Sequence, residues 1–193
     1  METIRIKRKD FEIVEIISSN MYKCYFNNKY YIVTKLDMDD PDYSDHLFLI
    51  NKLVNSGVPQ PKCKFLDKKQ GYVVREYMEA TSLFDYILDN DFNENIYRKI
   101  FYNAYSAKFA GLKINFDLKS WVIVNDSLYY VSLDAEKYSP EKDFTKKDIW
   151  NWFMGKELAE YYKKNGVLID KTRIKSDFEV NKEMVLMTCK YYL

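Results

Sequence analysis

Asn115-Phe116-Asp117-Leu118-Lys119-Ser120-Trp121-Val122-Ile123-Val124, continued by Asn125-Asp126-Ser127-Leu128-Tyr129-Tyr130-Val131-Ser132-Leu133-Asp134, is the stretch on which the fold of this chain turns. Val122-Ile123-Val124 and Tyr129-Tyr130-Val131-Ser132-Leu133 are β-branched and aromatic runs, and the polar residues between them read as a turn. The pattern predicts a β-hairpin with a carboxylate at either end. Asp117 lies in the loop that enters it, and Asp134 stands where the second strand finishes.

Upstream, the chain reads as β-rich. Residues 11–17, 22–26 and 29–36 are rich in β-branched and aromatic side chains, and Asn27-Asn28 is suited to a tight hairpin turn. After an acidic loop at 37–42, Ser44 is placed to cap a helix. Leu47, Ile50, Leu53 and Val54 recur at helical spacing until Gly57 ends it. Val58-Pro59-Gln60-Pro61 is extended, because proline fixes its own φ and restricts its predecessor. Strands at 62–66 and 72–77 follow.

From Ser82 the character becomes helical. A short helix covers 82–88, and a longer one from Asn93 to about Ala110 carries Ile96, Ile100, Phe101, Ala104 and Ala107 on one side. Past the hairpin, a helix from Thr145 through Tyr161-Tyr162 is expected to end at Gly166. A last one is expected over 178–192. The outline is α+β and two-lobed: an antiparallel β-rich part with one helix over 1–78, and a mainly helical part over 79–193.

At 47% hydrophobic and 31% charged, the 193 residues suffice for one packed domain or two small lobes. Thirty basic against 29 acidic side chains remove any bulk electrostatic case for nucleic acid or an acidic membrane surface. The high tyrosine count is a usage bias rather than a base-stacking surface. Three scattered cysteines, Cys24, Cys63 and Cys189, suit a reduced cytoplasmic protein without a cysteine metal cluster. Glu2-Thr3-Ile4-Arg5-Ile6-Lys7 lacks the apolar core of a signal peptide, and no apolar run reaches bilayer length.

Five short segments, in order, resemble the protein-kinase-like superfamily. Ile32-Val33-Thr34-Lys35 is similar to its V-A-I-K strand. Val74-Arg75-Glu76-Tyr77-Met78-Glu79, with the helix after it, resembles the hinge whose backbone meets adenine. Asp117-Leu118-Lys119 resembles the catalytic loop, Asp134 the first residue of D-F-G, and Asp148-Ile149-Trp150 a C-lobe D-x-W whose acid braces that loop. The gap between Asp134 and Asp148 is too short for a peptide-docking activation segment. The likeness is therefore to compact relatives: aminoglycoside, choline and lipopolysaccharide-core sugar kinases, and RIO-type kinases. Gly57-Val58-Pro59-Gln60-Pro61 is similar to a step recurring in the aminoglycoside group.

The resemblance implies ATP and Mg²⁺ as cofactors. Lys35 would hold phosphates, and Glu76 and Met78 would present backbone to the base. Asp117 would act as catalytic base with Lys119 beside it, and Asp134 with Glu136 would bind the metal. It implies a divergent phosphotransferase moving a γ-phosphoryl group to a hydroxyl on a small molecule, sugar or protein. The alternative is a pseudokinase that binds nucleotide or a partner without turnover.

The survival of Lys35, Asp117, Lys119 and Asp134 together favours the enzyme, whereas departures from the family pattern support that alternative. Trp121 falls where a metal-binding Asn is expected, and Asn115 replaces the catalytic-loop His. The glycine-rich loop is replaced by Ile16-Ile17-Ser18-Ser19-Asn20-Met21. Asp45 and His46 are the nearest partners by spacing for Lys35. The charged stretch from Glu136 to Lys147 reads as a solvated loop.

Overall fold

The computed structural model describes residues 2–146 and 148–192; Lys147 of the charged loop lies outside them. Strands β1 (Thr3–Ile6), β2 (Lys9–Ser18), β3 (Met21–Phe26), β4 (Lys29–Lys35), β5 (Cys63–Asp67) and β6 (Tyr72–Glu76) form an antiparallel sheet in the order β1-β2-β3-β4-β6-β5. Helix α1 (Tyr43–Val54) intervenes between β4 and β5. The β3–β4 hairpin turns on Asn27 and Asn28, both at positive φ (52° and 60°). That is the type I′ geometry in which asparagine is well tolerated.

Strand β1 had no signal in the sequence. Its hairpin to β2 turns on Lys7 and Arg8, also at positive φ (48° and 64°), residues that rarely adopt this conformation. Helix α1 begins one residue before Ser44, after Asp42, and no side chain caps it.

The remainder is built around helices and two small sheets. β7 (Thr81–Ser82) leads into α2 (Leu83–Asp89), then α3 (Glu94–Phe109), β8 (Leu112–Ile114), β9 (Trp121–Val124), β10 (Ser127–Tyr130) and β11 (Ala135–Lys137). The expected hairpin is present as β9–β10, with Asn125 and Asp126 at positive φ (47° and 59°). β7 pairs with β9, and β11 returns to pair with β8. These two helices are capped where the helical segments were expected to begin: Ser82 accepts from the Asp85 N–H and Asn93 from the Ile96 N–H.

The helix expected from Thr145 is instead broken. A 3₁₀ turn at Ile149–Trp152 is followed by extended Phe153, and α4 (Lys156–Lys164) starts after Gly155. Trp152 is fully buried and donates its indole N–H to the Phe116 carbonyl at 3.0 Å. A Cβ on Gly155 would lie 2.8 Å from a Val180 methyl, so the close passage of the chain beneath the last helix requires glycine there. α5 (Asp177–Tyr191) opens on a capping box between Ser176 and Glu179.

Two apolar clusters hold the molecule together. The smaller lies on one face of the six-stranded sheet: Ile6, Phe11, Cys24, Tyr31, Val33 and Val74. The larger runs through α2, α3, the β9–β10 hairpin, α4 and α5, and it also takes in Leu49 and Leu53 of α1. Helix α1, although flanked by strands in sequence, thus buries Leu49 and Leu53 in the helical half. The segment after α4 acts as a clasp. Arg173 donates to Asp91 and to the carbonyls of Ile87, Leu88 and Asn90, which caps the C-terminal end of α2. The three cysteines are unpaired. No helix among the described residues is long and apolar enough to cross a membrane.

Candidate functional site

Between the six-stranded sheet and the β9–β10 hairpin lies a slot of about 460 Å³. Met21 and Ile32 form its upper wall, Val122 and Val131 the lower, and the segment Arg75–Met78 closes the back and one edge. The size falls within the usual range for small-molecule sites, with mostly apolar walls and a few polar groups. The sequence signals for the wall residues were ordinary strand signals. Only their assembly from two sheets distant in sequence makes a site.

Side-chain alternation decides which residues of β4 reach this slot. Ile32 lines it, and Ile32 is paired with Arg75 on β6. Tyr31 and Val33 face the opposite way, into the small sheet core. Lys35 has the parity of Tyr31 and Val33, and its cross-strand partner Tyr72 packs on that same core. The lysine expected on the phosphates therefore stands on the face away from the slot, with its side chain exposed. Thr34, its neighbour, occupies the inward position. The candidate partners nearest Lys35 by spacing are engaged elsewhere: Asp45 with Lys137 at 3.4 Å, and His46 with Asp40 at 3.6 Å.

Two cations line the slot, Lys119 and Arg75, and Arg75 is the buried one, only 3% exposed. Burial lowers its affinity for the proton, to a pKa of about 10, so it remains charged at neutral pH. A guanidinium inside an apolar strand, directly after Val73-Val74, was the available signal. Such a charge is costly to bury and is retained where something pairs with it. Beside it, the Glu76 N–H is taken by the Lys62 carbonyl and the Tyr77 N–H by the Tyr30 carbonyl. Met78 makes no backbone hydrogen bond among the described residues, so its edge is open at the slot mouth.

The Asn115 side chain links the backbone of Asp117 to the carboxylate of Asp134. The Asn115 Oδ1 accepts from the Asp117 N–H at 2.8 Å, and its Nδ2 donates to Asp134 Oδ2 at 3.4 Å. Asn115 is itself fixed from the core. Its N–H donates to the Tyr130 hydroxyl, its carbonyl accepts from the Trp121 indole, and the Tyr130 hydroxyl donates onward to the Asp134 carbonyl at 2.6 Å. Burial raises the Tyr130 hydroxyl to a pKa of about 12, so it stays a donor across the useful pH range. Trp121 is a core residue with no exposed surface, stacked on Phe116. Its indole offers a metal nothing.

Asp117 Oδ1 accepts from the Lys119 N–H and from the Tyr161 hydroxyl, each at 2.8 Å; Oδ2 makes no hydrogen bond among the described residues. Burial first, then the bond to Asp117, raises the Tyr161 hydroxyl. The Lys119 ammonium lines the slot, donates to Asn165 Oδ1 at 2.6 Å and sits 4.9 Å from the Phe84 ring centroid. Asp134 and Glu136 line a second recess of about 360 Å³ with Lys113 and Asn115, where Glu136 is paired with Lys142. Asp148 pairs with Lys113, on the strand that delivers Asn115.

Among the described residues, no three His, Cys, Asp or Glu side chains gather as a metal-binding set. Magnesium, however, is commonly held by one or two carboxylates together with a ligand's phosphates. Asp134, whose carboxylate is exposed and bonded only to Asn115, fits that lesser role. No protein-family model and no curated protein matches this chain.

Proposed function

We propose that this chain is a compact kinase-like module that binds a purine nucleotide in the slot between its sheet and its hairpin. The observation that carries the proposal is the slot's composition. An unpaired backbone edge at Met78 meets two apolar walls, Met21 with Ile32 and Val122 with Val131, set for a flat heterocycle. Sheet order supports it too, since a helix inserted between β4 and the β5–β6 pair, followed by a hinge segment, is the arrangement that the resemblance implies.

Thermal shift tests the site. A nucleotide at a hundredfold excess over its Kd should stabilise the native state by about 2.7 kcal/mol. Ile32→Trp, which fills the slot, should abolish the shift, whereas Lys35→Ala should leave it unchanged because that side chain lies on the other face. A shift lost in Lys35→Ala but kept in Ile32→Trp would move the ligand elsewhere.

A second reading, phosphoryl transfer to a hydroxyl, is favoured by one specific feature: the Asn115 side chain ties the Asp117 backbone N–H to the Asp134 carboxylate, so the loop that carries Asp117 is fixed relative to Asp134. Asp117, with Oδ2 free, would orient the hydroxyl. Asp134, with Glu136 once released from Lys142, would hold a magnesium ion that neutralises phosphate charge. Lys119, two residues from Asp117, lines the slot and would face the phosphates. Under this reading the wild type hydrolyses ATP slowly and Asp117→Asn loses that activity, about 10²-fold or more, while its nucleotide-induced shift persists. Binding with no turnover in the wild type leaves the binding module as the whole function.

A further inference from the structure

We infer that the slot is built for a planar ligand presenting two adjacent acceptors to Arg75, and hence for guanine rather than adenine. The inference presupposes the nucleotide site above and specifies its base. Arg75 projects from the middle of β6, paired across the sheet with Ile32 on one side and Cys63 on the other, so backbone on both flanks fixes its origin. It is 3% exposed and lines the slot. Its guanidinium has five donor hydrogens, yet among the described residues its one hydrogen bond goes to the Ser132 carbonyl, at 3.5 Å and so at the limit of such contacts. Nε is buried without a partner, and no carboxylate lies within ion-pair distance among the described residues. Thr34 Oγ1, on the same inward face of the sheet, is likewise buried and unsatisfied.

Buried donors left unpaired are rare in native proteins and call for an acceptor. The O6 and N7 atoms of guanine are two coplanar acceptors that arginine takes in a bidentate fork. Adenine offers N7 beside an exocyclic amino group, a donor set against donors, which leaves hydrogens unpaired on both sides. The apolar walls then contact the faces of the base and make no choice between purines.

The test uses the full chain and isothermal titration with GTP and with ATP, in parallel with and without magnesium. GTP should bind about tenfold more tightly than ATP. Arg75→Gln should reverse the order, because a glutamine amide pairs with the N6/N7 edge of adenine. Equal or tighter binding of ATP by the wild type overturns the inference while leaving the nucleotide site standing, and so does an unchanged GTP preference in Arg75→Gln. Failure to bind either nucleotide overturns both. If Arg75→Gln does not fold, the wild-type ratio alone decides.

Discussion

Asp143→Ala is expected to lower the stability of the fold by about 3–5 kcal/mol, as removal of one member of a buried charged network does. The Asp143 carboxylate is 6% exposed. It accepts from the Tyr138 hydroxyl at 2.8 Å, the Tyr192 hydroxyl at 2.9 Å, and the Thr145 hydroxyl and N–H at 2.7 and 3.0 Å. The Lys108 ammonium stands 3.2 Å away. One side chain therefore ties together the loop after β11, the last turn of α3 and the residue after α5.

Its titration gives the prediction a pH signature. Burial alone would raise the carboxyl, but the bonds from Thr145, Tyr138 and Tyr192 outweigh it and hold the group well below the usual carboxylate range. A depressed folded-state value means that this stability is fully present above the unfolded value, about pH 4. It is lost as the pH falls from there through the depressed value. Urea melts at pH 7 and pH 3 should show a wild type that weakens in acid and an Asp143→Asn variant with a flatter dependence. An alanine variant within about 1 kcal/mol of wild type at pH 7 would show that solvent replaces the cluster without loss.

Trp121→Ala should cost a similar amount, about 3–5 kcal/mol, the usual range for emptying a buried indole. Its ring centroid lies 5.0 Å from Tyr130, 5.8 Å from Trp152 and 6.0 Å from Phe116, so the cavity would open where the hairpin joins the helices. The indole N–H also holds the Asn115 carbonyl. Trp121→Phe keeps most of the packing and deletes that bond; it should cost less, about 1–2 kcal/mol in lost hydrogen bonding and partial packing. Denaturant titration of both variants separates the two contributions. Equal losses in Phe and Ala variants would place the whole effect in the hydrogen bond, and near-neutral behaviour of both would remove Trp121 from the core's essential members.

Local chemistry made much of the fold legible from the chain alone. Asn27-Asn28 and Asn125-Asp126 announce their hairpins because short polar side chains tolerate positive φ. The starts near Ser82 and Asn93 were legible from the change to helical spacing, while the caps that their oxygens make to first-turn amides emerge only in the structure. Lys7-Arg8 makes the same kind of turn with long cationic side chains, so β1 left no trace. The break at Phe153–Gly155 follows from Trp152 reaching the Phe116 carbonyl and from Val180 above Gly155, contacts invisible to helical periodicity.

The site divides the same way. Asp117 and Asp134 bracket a hairpin whose strands the residues themselves specify; the link between them through Asn115 was not legible. The face of β4 was not legible, since a shift of one position separates Thr34 from Lys35 and only pairing with β6 resolves it. Arg75 was visible as an oddity of composition, but its solitude required knowing what surrounds it.

Helix α1 roots its Leu49 and Leu53 in the interior of the helical half while its ends connect to strands of the sheet. A tether of that kind resists a wide swing of one half against the other, because any rocking would have to draw two leucines out of close packing. The two sides of the slot are consequently preset, and under the proposed reading a nucleotide would enter by small displacements of pliant lining side chains such as Met21 and Met78. Little free energy is then diverted into closure, and selectivity falls to the fixed chemistry of the walls.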